Sequence, residues 1–306
     1  MTEHPVPGPR PAQRLGTPTG PLLEVRGLTV GYPTPDGESV AVRDAALSIG
    51  VGEQVAFVGE SGSGKTSLAM AVAGFLGGSA RVTAELLAFD GVPLDRNPHA
   101  GVPRRTPGMA VVFQDAMTSL DPVWSVGSQL TTVVRSATRC SRREATERAR
   151  EWLVRVGLTD TRRVLRSRPY ELSGGMRQRA MLALALAGTP KLLIADEPTS
   201  ALDASLSRTV MELLRELATE TGTSLLIVSH DIRLCQEFSD AMVVMYHGAI
   251  VDAGPSAELE RTATHPYTRG LLRCVPDLGA RHAHRLPTLD TVDTGVGAEL
   301  VRTSVA

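Results

Sequence analysis

Val55-Ala56-Phe57-Val58-Gly59-Glu60-Ser61-Gly62-Ser63-Gly64-Lys65-Thr66-Ser67-Leu68 is the stretch on which the reading of this chain turns. An apolar run leads into Gly59, and a helix-compatible run over 67–73 follows Thr66. Between them stands Gly-x-x-x-x-Gly-Lys-Thr in full, in the strand–loop–helix setting that gives this pattern a mechanism. Gly59, Gly62 and Gly64 let the backbone turn its amides toward an anion without steric cost. The start of the following helix adds about half a positive charge at the same point. With Glu60, Ser61, Ser63 and Ser67 they form a predicted phosphate cradle. Lys65 is placed to reach β- and γ-phosphates, and the Thr66 hydroxyl to hold Mg2+. Lys65 and Lys191 are the only lysines among 32 Lys and Arg residues, so a lysine in this loop stands against a strong arginine preference.

The rest of the composition narrows the class. A chain of 306 residues, 42 % of them hydrophobic, can bury one large core and a smaller lobe. A net charge of −1 argues against a dedicated nucleic-acid binder, which carries a basic surplus. Cys140, Cys235 and Cys274 are scattered and form no Cys-x-x-Cys, so neither a disulfide framework nor a zinc site is indicated and a reduced, cytoplasmic setting is expected. Residues 1–21, rich in Pro and Gly and without an apolar h-region, read as a disordered tail and not as a signal peptide. No apolar run approaches the roughly 18 residues of a membrane helix, so any membrane span would belong to another chain.

Strands are expected over 22–32, 40–49, 82–87 and 109–113, the last ending at Gln114. From about residue 126 to 168 the chain becomes helix-compatible and dense in arginine. Glu144, Glu147 and Glu151 stand at spacings that pair along a helix, and the segment reads as a helical lobe inserted in an α/β core. Then follow a helix over 176–187, a buried strand over 192–195, an amphipathic helix over 206–219 and a buried strand over 225–228. A hairpin is expected around His247-Gly248. Short apolar strands alternating with helices predict a largely parallel sheet, with ligands at the carboxyl ends of its strands. Gly59, Gln114, Asp196 and His230 all fall at such ends.

Asp196-Glu197 closes one of these strands. Asp196 is positioned to help hold Mg2+ through water, and Glu197 to orient or deprotonate an attacking water. Ser173-Gly174-Gly175, at a helix start, offers a second anion site through backbone amides and a hydroxyl. The sequence leaves two arrangements open: both anion sites touch one nucleotide, or one serves a nucleotide held by a partner.

Taken together these residues resemble the ATP-binding-cassette (ABC) transporter ATPases over about 22–255. The phosphate loop, Gln114, Leu172-Ser173-Gly174-Gly175-Met176, Asp196, Glu197, Ser200-Ala201-Leu202-Asp203 and His230 occur in that family's order. The resemblance implies a RecA-like P-loop NTPase core with an antiparallel β subdomain and an inserted α-helical lobe (about 115–172), followed by an extension over 256–306. It implies ATP and Mg2+, and two cassettes stacked head to tail, so that Ser173, Gly174 and Gly175 clamp the partner's γ-phosphate. By the same resemblance Tyr32 stacks on adenine and Gln114 contacts Mg2+ and the attacking water while sensing the membrane subunit. His230 contacts the γ-phosphate, and Asp203 couples the two sites.

Three stretches resemble the dipeptide/oligopeptide/nickel import branch: Phe113-Gln114-Asp115-Ala116-Met117-Thr118-Ser119-Leu120-Asp121-Pro122, Leu172 through Arg179 with Met176 in place of the commoner Gln, and His265-Pro266-Tyr267-Thr268-Arg269-Gly270-Leu271-Leu272. Ala116 replaces a proline frequent in that branch, and the C-terminal cysteine cluster of many members is missing, so no iron–sulfur centre is expected. The implied role is the ATP-hydrolysing motor of a peptide importer, peripheral on the cytoplasmic face of the membrane. Its partners are two permeases, a second ABC ATPase (a paralogue or itself) and, indirectly, an extracellular binding protein. A nickel or metal-chelate importer, and a soluble ABC ATPase acting on nucleic acid or ribosomes, are the alternatives. The one cassette, the absence of sustained heptads and the lack of Cys pairs weigh against the last.

Overall fold

The run Gln54–Val58 is buried along its whole length, and so are Leu192–Asp196 and Ser224–Val228. Strands apolar on both faces need covering on both faces, which a parallel sheet flanked by other layers provides. A computed structural model describes residues 20–35, 37–77, 79–94, 106–113, 119–200 and 202–274. Most of the predicted tail, Gln114, Ala201 and residues 275–306 of the predicted extension lie outside them.

In chain order the elements are β1 (Leu23–Thr34), β2 (Gly37–Ile49), β3 (Gln54–Val58), α1 (Lys65–Ala73), β4 (Arg81–Thr83), β5 (Leu86–Phe89), β6 (Val92–Pro93) and β7 (Met109–Val112). Then come α2 (Val126–Thr138), α3 (Arg142–Arg155), α4 (Thr161–Arg166), a 3-10 turn (Pro169–Glu171), α5 (Gly174–Ala187), β8 (Leu192–Asp196), α6 (Ala204–Thr221) and β9 (Ser224–Val228). The described chain ends with α7 (Ile232–Phe238), β10 (Ala241–Tyr246), β11 (Ala249–Pro255), α8 (Leu259–Thr262) and α9 (Pro266–Arg273).

Two sheets result. The larger has the order β11-β10-β3-β9-β8-β7, parallel except for the β10–β11 hairpin. His247 and Gly248 turn that hairpin at φ 46° and 83°, the two positive values a two-residue turn of this kind requires. The smaller sheet is antiparallel, β2-β1-β5-β6, with β4 also on β1. The period-2 alternation of β3 sends Ala56 and Val58 to one core and Val55 and Phe57 to another. In β8, Leu193 and Ala195 oppose Leu192 and Ile194 in the same way. One core joins the parallel sheet to α2–α6; the other joins it to α1 and the antiparallel sheet.

The single strand expected over 82–87 is two strands. β1 bulges at Gly27, at φ +62°, where the Glu85 side chain passes so close that a Cβ would lie 2.7 Å from its Cγ. β4 pairs with β1 on one side of this bulge and β5 on the other. Two short helices, α7 and α8, have no counterpart in the sequence reading. The lobe begins cleanly: Ser125 caps α2, and Ser141 with Glu144 forms a capping box on α3.

Candidate functional site

Because β3, β7, β8 and β9 run parallel, their carboxyl ends share one edge. The phosphate-type loop, Phe113, Asp196-Glu197 and Ser229-His230 emerge there. Glycine is required at two loop positions. Gly59 has φ +146° and a Cβ there would lie 2.2 Å from the Met245 carbonyl oxygen; Gly64 has φ +101° and a Cβ would lie 2.4 Å from the Ala41 carbonyl oxygen. Gly64 opens α1 without a side-chain cap, which leaves first-turn amides directed at the cradle.

Lys65 is buried, and its ammonium folds back over the loop. Nζ donates to the carbonyls of Gly59 (2.9 Å) and Glu60 (2.6 Å) and to Ser63 Oγ (3.3 Å). Burial lowers its pKa, against the pull of the Glu197, Asp196 and Glu60 carboxylates. Thr66 Oγ1 donates to Asp196 Oδ1 at 2.9 Å. Burial raises the Asp196 pKa and the neighbouring Glu197 charge adds to the rise, while Thr66 and Lys65 oppose it. Glu197 sits at φ 50°, its amide bonded to the Val228 carbonyl at 2.8 Å, so the chain turns sharply as β8 ends. Glu197 Oε2 meets His230 Nδ1 at 2.7 Å; the carboxylate side chain is 16 % exposed and the imidazole 65 %, so the pair reaches from the core edge into solvent. Lys65, Thr66, Ser67, Glu197 and His230 border one cleft of about 350 Å³ with Ser61, Gly62 and Gly64. Tyr32, near the end of β1, reaches the first turn of α1 through its hydroxyl, 3.2 Å from Ser67 Oγ.

The other predicted residues stand apart. Ser173 caps α5, accepting from the Met176 amide at 3.3 Å. Gly174 and Gly175 are in its first turn with nothing within 4 Å of an added Cβ. None of the three lines the cleft. Asp203 caps α6, accepting from the amides of Ser205 and Leu206 and from the Ser205 hydroxyl at 3.1, 2.9 and 2.7 Å. Those bonds, led by the Leu206 amide, hold its carboxyl below the usual range. Gln114, the last predicted member, lies outside the described residues.

Two contacts escape a sequence reading. The buried Gln178 carboxamide of α5 donates to the Pro198 carbonyl, tying that helix to the turn after Glu197. The Tyr267 hydroxyl of α9 accepts from the Glu60 amide of the loop at 2.9 Å. Neither has a local pattern; the His265–Leu272 motif was the only signal for the second.

The donor set fits a nucleotide with Mg2+. At Gly62 nothing lies within 4 Å of an added Cβ, so the loop is open there, and Thr66 Oγ1 and Asp196 Oδ1 are hard oxygens of the kind Mg2+ accepts, directly or through water, beside phosphate. Among the described residues no cluster of three or more His, Cys, Asp or Glu could hold a metal by itself.

The model of the ABC transporter family matches residues 42–200. A putative peptide import ATP-binding protein of Brucella melitensis is 42 % identical over 273 residues, which is 85 % of this chain and 79 % of the relative. The oligopeptide transport ATP-binding protein OppD of Salmonella typhimurium is 39 % identical, over 90 % of this chain and 82 % of its own length. Among solved structures, cbiO1 of Clostridium perfringens, part of an ABC transporter complex, superposes with a TM-score of 0.66 at 27 % identity, covering 79 % of this chain and 91 % of that one. The cassette MJ0796, in a dimeric post-hydrolysis state bound to ADP and Pi, gives 0.64 at 26 % identity, covering 76 % and 98 %.

Proposed function

The chain belongs to the ABC transporter family, and on that premise we propose that it is the ATP-hydrolysing motor subunit of a peptide importer. The observation that carries the reading is the convergence of Lys65, Thr66, Glu197 and His230 on one cleft, with Asp196 bonded to Thr66. The loop amides and the α1 N-terminus bind the phosphates of ATP, and Lys65 exchanges the Gly59 and Glu60 carbonyls for β- and γ-phosphate oxygens. Thr66, Asp196 through water, and Gln114 are the residues that would hold Mg2+, which supplies charge neutralisation on the phosphates. Glu197 takes the proton of the attacking water and orients it in line. His230 holds Glu197 in place through Nδ1 and reaches the γ-phosphate from the solvent side. Tyr32 stacks on the adenine.

Ser173, Gly174 and Gly175 act in trans on the γ-phosphate held by a second cassette, a paralogue or a second copy. Their open position away from the chain's own cleft supports this reading, and Asp203 couples the two sites across the pair. Among the described residues no helix is long and apolar enough to cross a membrane. We assign the span to two separate permeases on whose cytoplasmic side this subunit docks, supplied by an extracellular binding protein. Peptide is the cargo proposed, because the relatives named above are described as peptide and oligopeptide transport proteins. Uptake in the native host carrying Glu197→Gln tests both points. Loss of labelled di- or oligopeptide uptake with nickel uptake intact is expected. The reverse result overturns the cargo, and an assembled transporter that hydrolyses no ATP overturns the motor.

A further inference from the structure

In the sequence, the His265–Leu272 motif assigns a branch and no chemistry; in the structure it reaches the phosphate loop. Thr264 donates from its amide and its hydroxyl to Asp252 Oδ1 at 3.1 and 2.9 Å, and the His265 amide donates to Oδ2 at 3.0 Å. β11 therefore fixes the start of α9. His265 Nδ1 in turn accepts from the Tyr267 amide at 3.2 Å. Tyr267 is 3 % exposed. Its ring stacks on Tyr246 of β10, with centroids 4.1 Å apart and planes inclined by 27°. Its hydroxyl ends on the Glu60 amide at 2.9 Å. Burial pushes the phenol pKa up to about 12, so it is a neutral acceptor throughout the physiological range.

The Glu60 residue is thereby held through both backbone groups. Its amide is on Tyr267, and its carbonyl accepts from Lys65 Nζ at 2.6 Å and from the Ser63 amide at 3.2 Å. Phosphate entry draws Lys65 off that carbonyl. It does not compete for the tyrosine, because neither Glu60 nor Tyr267 lines the cleft. One side of the grip is exchanged on binding and the other is retained. We propose that Tyr267 is a positioning residue for the nucleotide: its hydroxyl holds the turn at Glu60 in the shape that accepts phosphate, and the C-terminal segment anchored on Asp252 thereby sets the ATP affinity of this cassette. The inference rests on the reading of the loop as the ATP site.

Tyr267→Phe removes the hydroxyl and keeps the ring stack. The Glu60 amide, part-buried, then has to find water in the free loop, and phosphate has to draw it back. The dissociation constant of the full-length chain for a fluorescent ATP analogue should rise about fivefold, one hydrogen bond's worth of pre-organisation. The KM for ATP of the assembled transporter should follow it, with a smaller change in kcat. Asp252→Asn, which loosens the anchor without touching the pocket, should move affinity in the same direction by less. Wild-type affinity in Tyr267→Phe overturns the inference, and so does a variant that melts several degrees lower with its affinity unchanged, since that is packing alone. Lys65→Ala, measured alongside, separates the premises. If it loses the analogue while Tyr267→Phe does not, only the tie is wrong; if it binds like wild type, the site itself is misassigned.

Discussion

The same methyl group added at Gly64 and at Gly175 should have opposite consequences. At Gly64 the added Cβ would lie 2.4 Å from the Ala41 carbonyl oxygen, on a backbone at φ +101°. Moving an L-residue into the left-handed region costs about 1–2 kcal/mol, and relieving an overlap with backbone costs about 1–3 kcal/mol more. The flexible Met245 side chain, whose Cε would be 3.4 Å away, can yield; the Ala41 carbonyl is backbone of β2, at an irregularity between Val40 and Val42, and cannot move far without displacing these two from their partners in β1. Gly64→Ala should therefore lower the melting temperature by on the order of 10 °C and cost the chain its nucleotide affinity. At Gly175 nothing lies within 4 Å of the added Cβ. In the first turn of α5 an alanine is if anything favoured, by up to about 1 kcal/mol. Gly175→Ala should leave melting and single-chain ATP binding as in the wild type, yet slow turnover of the assembled transporter by about tenfold or more, because under the proposed action in trans the methyl group would stand where the partner's phosphate approaches the backbone. Differential scanning fluorimetry, analogue binding and ATP turnover, run on both variants, are the assays. Wild-type melting in Gly64→Ala would refute the loop geometry. Full turnover in Gly175→Ala would refute the action in trans.

Glu197→Gln keeps a hydrogen-bonding partner for His230 Nδ1 but no base, so kcat should fall by about 10²–10⁴ with ATP binding retained; steady-state hydrolysis within a few-fold of wild type would remove Glu197 from the role. Lys65→Ala deletes the charged donor that now occupies the Gly59 and Glu60 carbonyls and should weaken ATP binding by about 10- to 100-fold, read by equilibrium titration. At Asp252, burial works against the carboxylate, but the hydrogen bonds it accepts, from Thr264 and His265 among others, outweigh it and lower its pKa. A depressed folded-state value stabilises fully above the unfolded value, near 4, and the contribution is lost as pH falls through the folded one. The melting-temperature gap between wild type and Asp252→Asn should thus be widest near neutrality and close toward about pH 3; a gap independent of pH would contradict the assignment.

The strands of the parallel sheet are legible because they are apolar on both faces. The 192–195 and 225–228 runs fall within β8 and β9, which extend them by a residue at most at one end. The loop residues and the strand-end Asp196, Glu197 and His230 are legible because phosphate chemistry fixes their spacing or their place at a strand end. Where the reading fails, the deciding contact is long-range or breaks a period. The bulge at Gly27 splits one expected strand into β4 and β5, and a lone glycine in an apolar stretch does not announce which side of it each partner will take. The helix α7 is only seven residues long, too short for its period to be read, and is secured by the Asp231 side chain on the Leu234 amide. Gln178 and Pro198 are 20 residues apart and Tyr267 and Glu60 are 207 apart; a side chain meeting a distant backbone group imposes no pattern on either stretch.

That last pair bears on how a phosphate loop keeps its shape. Its amides must aim at a ligand that is not always present, so they cannot all be satisfied from within the loop. Glycines at φ +146° and +101° make the shape accessible without making it preferred. The preference has to come from neighbours. The Met245 carbonyl of β10 closes on Gly59, the Ala41 carbonyl of β2 closes on Gly64, and the Gly248 amide of the hairpin turn bonds to the Ser63 carbonyl at 3.0 Å. Tyr267 takes the remaining side at Glu60. These contacts come from β2, the β10–β11 hairpin and α9, elements that neither precede nor follow the loop directly in the α/β succession. On this argument the hairpin and the C-terminal helix are parts of the nucleotide site, through backbone contacts, the Met245 side chain and the Tyr267 hydroxyl. A change in the C-terminal segment should then be read first in ATP affinity and only second in stability.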